Sequence, residues 1–114
     1  MTLQDFKTKL TTTPIEVEFT DTMAIIESLY TFTPSSFTNG DIRNESDQNN
    51  GSCKLFAFAK DQEFNKNDTL HCFDAYYRED VLNNPNGTDH QNIRNFMQYG
   101  WDGITFDANP LSTK

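Results

Sequence analysis

Ser52-Cys53-Lys54-Leu55-Phe56-Ala57-Phe58-Ala59 is the stretch whose reading decides the fold. From Leu55 on it is apolar on every side, so it belongs in the interior. Period alone does not separate a buried helix from a buried strand over so short a run. Ala and Leu favour helix while Phe and Cys are ambivalent, and the run is read here as a helix capped by Ser52. A strand at this place would make the middle of the chain a sheet. A helix makes the sheet a minor partner.

Working toward the C-terminus, Asn65 with Asp68 three residues on is a helix start. Leu70, Phe73, Tyr77, Val81 and Leu82 then predict one continuous helix over 66–83. Pro85-Asn86-Gly87 turns the chain. Thr88 and Gln91 have capping-box spacing and open a helix with Ile93, Phe96 and Met97 on its inner face. Gly100 stops that helix, and Trp101, Ile104 and Phe106 read as a closing strand paired with the Phe32–Thr38 region.

Toward the N-terminus, Ser46 to Gly51 is a polar loop with no apolar residue. Phe32, Thr33, Phe37 and Thr38 favour extended structure, Asn39-Gly40 marks a turn, and Ile42 to Glu45 returns as a strand. Met23, Ile26 and Tyr30 define a helix capped by Thr20 or Asp21. Ile15, Val17 and Phe19 alternate with Glu16 and Glu18 as a short strand or extended lead-in. Thr2 and Asp5 cap a first helix carrying Leu3, Phe6 and Leu10. The expected architecture is α+β and mostly helical, about five helices packed with a small antiparallel sheet, in one domain over residues 1–114.

Composition bounds the function. The chain carries 17 acidic and 9 basic residues, a formal charge of −8. That excludes nucleic acid as the main partner, because such affinity rests on Lys and Arg releasing counterions, and it excludes docking on an anionic membrane. Leu, Ile, Val and Phe together number only 25 of 114 residues, but ten are Phe. Each buried ring removes roughly 150–250 Å² from water, so these few residues suffice for a core. Cys53, Cys72, His71 and His90 match no CxxC or HxxxH pattern, so neither a zinc site nor a disulfide framework is expected. No cofactor is implied. The first thirteen residues lack the continuous apolar stretch of a cleaved secretion signal, so a cytoplasm is the expected compartment.

Three polar stretches are candidate sites. In the first, Asn49, Asn50, Ser52 and Lys54 surround Cys53, a thiol that a helix N-terminus would activate. The bland reading packs Cys53 inward as a small hydrophobe. In the second, Tyr76, Arg78 and Asp80 line a groove or form a solvated face. In the third, Asp89, His90 and Arg94 stand within two turns of a helix start suited to a phosphate or carboxylate, or simply make a charged outer face. Cys53 with His90 is the minimal parts list of a thiol hydrolase, without the oxyanion features of known thiol enzymes.

Gln48-Asn49-Asn50-Gly51-Ser52-Cys53-Lys54, Ala75-Tyr76-Tyr77-Arg78 and Gly87-Thr88-Asp89-His90-Gln91-Asn92-Ile93-Arg94-Asn95-Phe96 are unusual strings. Their order and spacing resemble the HopJ (HopPmaJ-like) type III effector family of Gram-negative bacteria over almost the whole chain. The resemblance implies passage into a host cell by type III secretion, and it assigns no activity, cofactor or residue roles. The Thr-rich start (Thr2, Thr8, Thr11 to Thr13) fits a type III export signal as well as a capped helix. Three readings follow: a monomeric or weakly dimeric domain that binds a partner protein, a small-ligand binder or thiol enzyme with a pocket near Cys53, Tyr76 and His90, and a cytoplasmic bacterial protein sharing the effector name by similarity alone.

Overall fold

The computed structural model describes residues 1–114. Its middle is a helix, α3 (Asn50–Asp61), and not a strand. Phe56 and Phe58, two positions apart on α3, serve two clusters of rings. Phe56 lies 4.9 Å from Phe96 and 5.4 Å from Phe73, centroid to centroid. Phe58 lies 5.9 Å from Phe6 and 5.6 Å from Phe64. Aromatic side chains from both ends of the chain thus close on one helix, and this compensates for the shortage of aliphatics.

The first helix, α1 (Leu3–Thr12), starts at Thr2 with the full reciprocal box to Asp5. Residues 15–19 are not a strand. Pro14–Glu16 form a 3₁₀ turn that leaves Ile15 exposed and Val17 buried. The alternation misleads because Pro14 begins a tight helical turn. α2 (Phe19–Leu29) is capped by neither Thr20 nor Asp21. Glu18 occupies that place, and Asp21 accepts the Glu18 N–H three residues back.

Two small antiparallel sheets flank the helices. In one, β2 (Phe37–Asn39) lies between β3 (Ile42–Asn44) and β4 (Ile104–Phe106), with Phe37 opposite both Asn44 and Phe106. The hairpin turns at Gly40, whose φ is +63°, and a β-carbon there would sit 2.1 Å from the Tyr99 ring. Only glycine meets both demands. In the other sheet, β1 (Tyr30–Phe32) pairs with β5 (Leu111–Thr113), a pairing with no strong sequence signal.

The expected single helix over 66–83 is broken. α4 (Lys66–His71) begins at Asn65 as expected, then the chain turns at Asp74, whose φ is +60°. It resumes as a π-helical segment, Tyr76–Val81. The break has a physical cause in Asp74 and Arg78. The Asp74 carboxylate accepts the Phe19 N–H at 3.1 Å and pairs with Arg78 at 2.7 Å. The Arg78 guanidinium also donates to the carbonyls of Pro14, Val17 and His71. A regular helix through residue 74 would forfeit those charge-assisted bonds.

α5 (Gln91–Tyr99) stops at Gly100, with φ +64°. It buries Ile93 and Phe96, with Met97 packed at the edge. It also buries Asn92 and Asn95, whose amides join those of Asn39 and Asn44 in a network beneath the β2–β3 hairpin. No helix is long and apolar enough to cross a membrane.

Candidate functional site

Two of the five helices begin differently from the rest. α3 starts from Asn49 (φ +53°) and α5 from His90 (φ +50°), both left-handed, and neither has a side chain capping its first N–H groups. Ser52, expected as a cap, is instead the third residue of α3. The Thr88–Gln91 box does not form either. Gln91 donates its side-chain amide to the Thr88 carbonyl, and the helix opens two residues later than Thr88 predicts. The N–H groups of Gly51, Ser52, Gln91 and Asn92 find no acceptor within the protein. In ordinary helices such donors are met by caps or solvent.

Both starts face one cleft of about 530 Å³. Tyr76 and His90 form one wall, with ring centroids 5.3 Å apart, and Phe19 packs edge-on against Tyr76 at 5.2 Å. Ile42 and Ile93 add apolar surface, and Asn44 and Asn92 lie at the base. Tyr76 is 44% exposed. His90 is oriented from outside the cleft by Asp80, whose carboxylate is 3.0 Å from Nε2. Although the chain is strongly acidic, no carboxylate lines this cleft.

The predicted residues separate into groups. Asn49, Ser52, Tyr76 and His90 converge on the cleft. Asn50 turns its amide toward Asp47, and Lys54 lies over the Phe32 ring at 4.9 Å. Arg78 is held within the knot described above. Asp89 and Arg94 bind one another at 2.6 Å, and Arg94 further donates to the carbonyls of Asn84 and Asp89. The guanidinium beside it holds the Asp89 carboxyl below the usual carboxylate range. Arg94 and His90, four residues apart, serve different neighbours, because the left-handed His90 lies outside the helical spacing.

Cys53 does not belong to the cleft. It is 1% exposed and its thiol donates to the Ser35 carbonyl. Burial pushes its pKa up, the reverse of what a nucleophile requires. Cys53 thus packs inward as a small hydrophobe, the candidate Cys53–His90 pair does not form, and the wall of Tyr76 and His90 carries no thiol. Cys72 is also buried and free, its pKa pushed up to about 12 mainly by burial. No cluster of His, Cys, Asp and Glu is arranged to hold a metal ion.

The family model described as HopJ type III effector protein matches residues 3–111. The chain belongs to that family. A comparison with curated proteins finds no match. The crystal structure of VPA0580, a protein of unknown function, is similar to this HopJ chain at 52% identity, with a TM-score of 0.97 over 100% of this chain and 95% of that one.

Phe19, Ile42, Asn44, Gln91 and Asn92 also line the HopJ cleft and were not among the expected site residues. Asn92 and Asn95 carried a usable signal. They lie three apart, on the same side of the helix as Phe96, and polar residues on an inner face require partners.

Proposed function

We propose that the chain is a recognition domain that binds a partner protein through the rim of this cleft. Convergence is the observation that supports it. Tyr76, His90, Asn49 and Ser52 come from three separate segments, yet border one concave surface that leaves an aromatic ring and four backbone donors open. Exposed Tyr residues beside a cavity are favoured contact anchors. Membership in a family described as type III effectors supports delivery into a host cell as the setting for that contact.

A photo-crosslinking residue placed at Ser52, on the rim, should form a discrete adduct in host-cell extract. The same residue at Glu27, exposed on α2, should form none. Tyr76→Ala should abolish the rim adduct and weaken binding of the purified, identified partner at least tenfold, with the melting temperature held. Equal adducts from both positions would remove the cleft as the contact site.

A further inference from the structure

Three of the five glycines follow an asparagine, at Asn39-Gly40, Asn50-Gly51 and Asn86-Gly87. Glycine has no β-carbon to crowd its nitrogen, so in each pair that nitrogen can close on the preceding side-chain amide. The closure needs an N–H that no internal acceptor holds, because the nitrogen must give up its proton. It also needs a carboxamide free to turn and a backbone free to rotate between the two. The fold meets these conditions unequally.

Asn39 is fully buried, and its amide nitrogen donates to the carbonyl and the side-chain oxygen of Asn92. The Gly40 N–H donates to the Gly103 carbonyl at 2.9 Å. Asn86 is exposed in its turn, but the Gly87 N–H donates to the Asn84 carbonyl at 2.9 Å. The Arg94 guanidinium also packs on Gly87 so closely that a β-carbon there would lie 2.6 Å from it. Gly51 differs from both. Its N–H has no acceptor within the protein. The Asn50 carboxamide makes one bond, 3.5 Å long, to Asp47. The pair forms the first two residues of α3, and helix ends are the places that open most readily.

We infer that Asn50-Gly51 is a site of spontaneous deamidation, a covalent modification set at the rim of the cleft and independent of what the cleft binds. The Gly51 nitrogen loses its proton to water or hydroxide and attacks the Asn50 Cγ. The side-chain nitrogen leaves as ammonia and a succinimide ring closes. Water then opens the ring. Opening at Cγ gives aspartate, and opening at the main-chain carbonyl carbon gives isoaspartate, whose backbone is one methylene longer. In both outcomes asparagine and water become a carboxylate and ammonia, with no change of oxidation state. Either product places a negative charge in the first turn of α3, which the helix dipole favours. The isoaspartyl product also displaces Gly51 and Ser52, both of which line the cleft.

The test ages the full chain in mildly alkaline buffer, once folded and once unfolded in urea, and follows aspartate and isoaspartate at each pair by peptide mapping. In the folded chain Asn50 should convert at least fivefold faster than Asn86, and Asn39 should stay intact. In urea the three rates should agree within threefold, which separates the effect of the fold from that of the sequence. Gly51→Ala adds a β-carbon that meets only the Phe19 ring, at 3.6 Å, and should slow conversion of Asn50 at least tenfold with the melting temperature held. Conversion of Asn86 as fast as that of Asn50 in the folded chain would overturn the inference. So would an Asn50 that stays intact in the folded chain while all three pairs convert in urea.

Discussion

α1 and α4 begin in one way, α3 and α5 in another. Thr2 and Asn65 are ordinary caps whose side chains take the N–H three residues on. Asn49 and His90 adopt left-handed backbone geometry and leave the first donors of their helices open toward a shared cleft. A left-handed non-glycine residue costs roughly 1–2 kcal/mol, and open donors forgo about 1 kcal/mol of capping. The closed starts serve the fold. The open starts cost stability and define the one concave surface where donors from two helices meet.

The largest way to break this contrast is to remove the link that holds both open starts. Asn44→Leu would strip Asn49 and Asn92 of their shared partner and leave buried amides unpaired. It should lower unfolding free energy by about 2–4 kcal/mol, read from the urea midpoint at unchanged slope.

A smaller change sharpens the contrast. Thr2→Ala should cost about 1 kcal/mol, while Ser52→Ala, at a residue that caps nothing, should cost less than about 0.5 kcal/mol. A Ser52→Ala loss equal to that of Thr2→Ala would restore Ser52 as a cap.

The smallest effect is pH-dependent and lies on the closed side. His71 is partly buried, and its Nδ1 faces the Arg78 guanidinium at 3.3 Å. Burial first, and Arg78 second, hold its pKa below the ordinary value. The unfolded chain therefore takes up a proton near pH 6.5 that the folded chain refuses. Stability contributed by neutral His71 is full above that pH and declines as pH falls below it. His71→Gln should flatten the acid side of a melting-temperature profile relative to the unsubstituted chain.

Legibility in the sequence follows the same division. Thr2 with Asp5, and Asn65 with Asp68, announce their helices because the cap and its target are local. The all-round apolar run after Ser52 announces burial, and its Ala and Leu content favours helix. The starts of α3 and α5 are misplaced by two or three residues, since Ser52 and Thr88 imitate caps while the bond from the Asn49 amide to the buried Asn44 and the packing of His90 on Tyr76 and Asp80 hold the geometry. The helix expected over 66–83 fails for a similar reason. Its period is sound, but Asp74 and Arg78 answer to Phe19 and Pro14, far away in sequence. Asn49, Ser52, Tyr76 and His90 were visible as polar or aromatic oddities. Inward packing of Cys53 was legible as its bland reading, while the turn of Arg94 toward Asp89 followed from the left-handed start at His90.

The knot around Arg78 has a mechanical corollary. Its guanidinium grips the chain at Pro14 and Val17, just past the end of α1. A pull on the N-terminal end must draw Phe6 and Leu10 out of the core and, just beyond them, break several charge-assisted bonds at once. The first helix should therefore yield together with the body and not ahead of it.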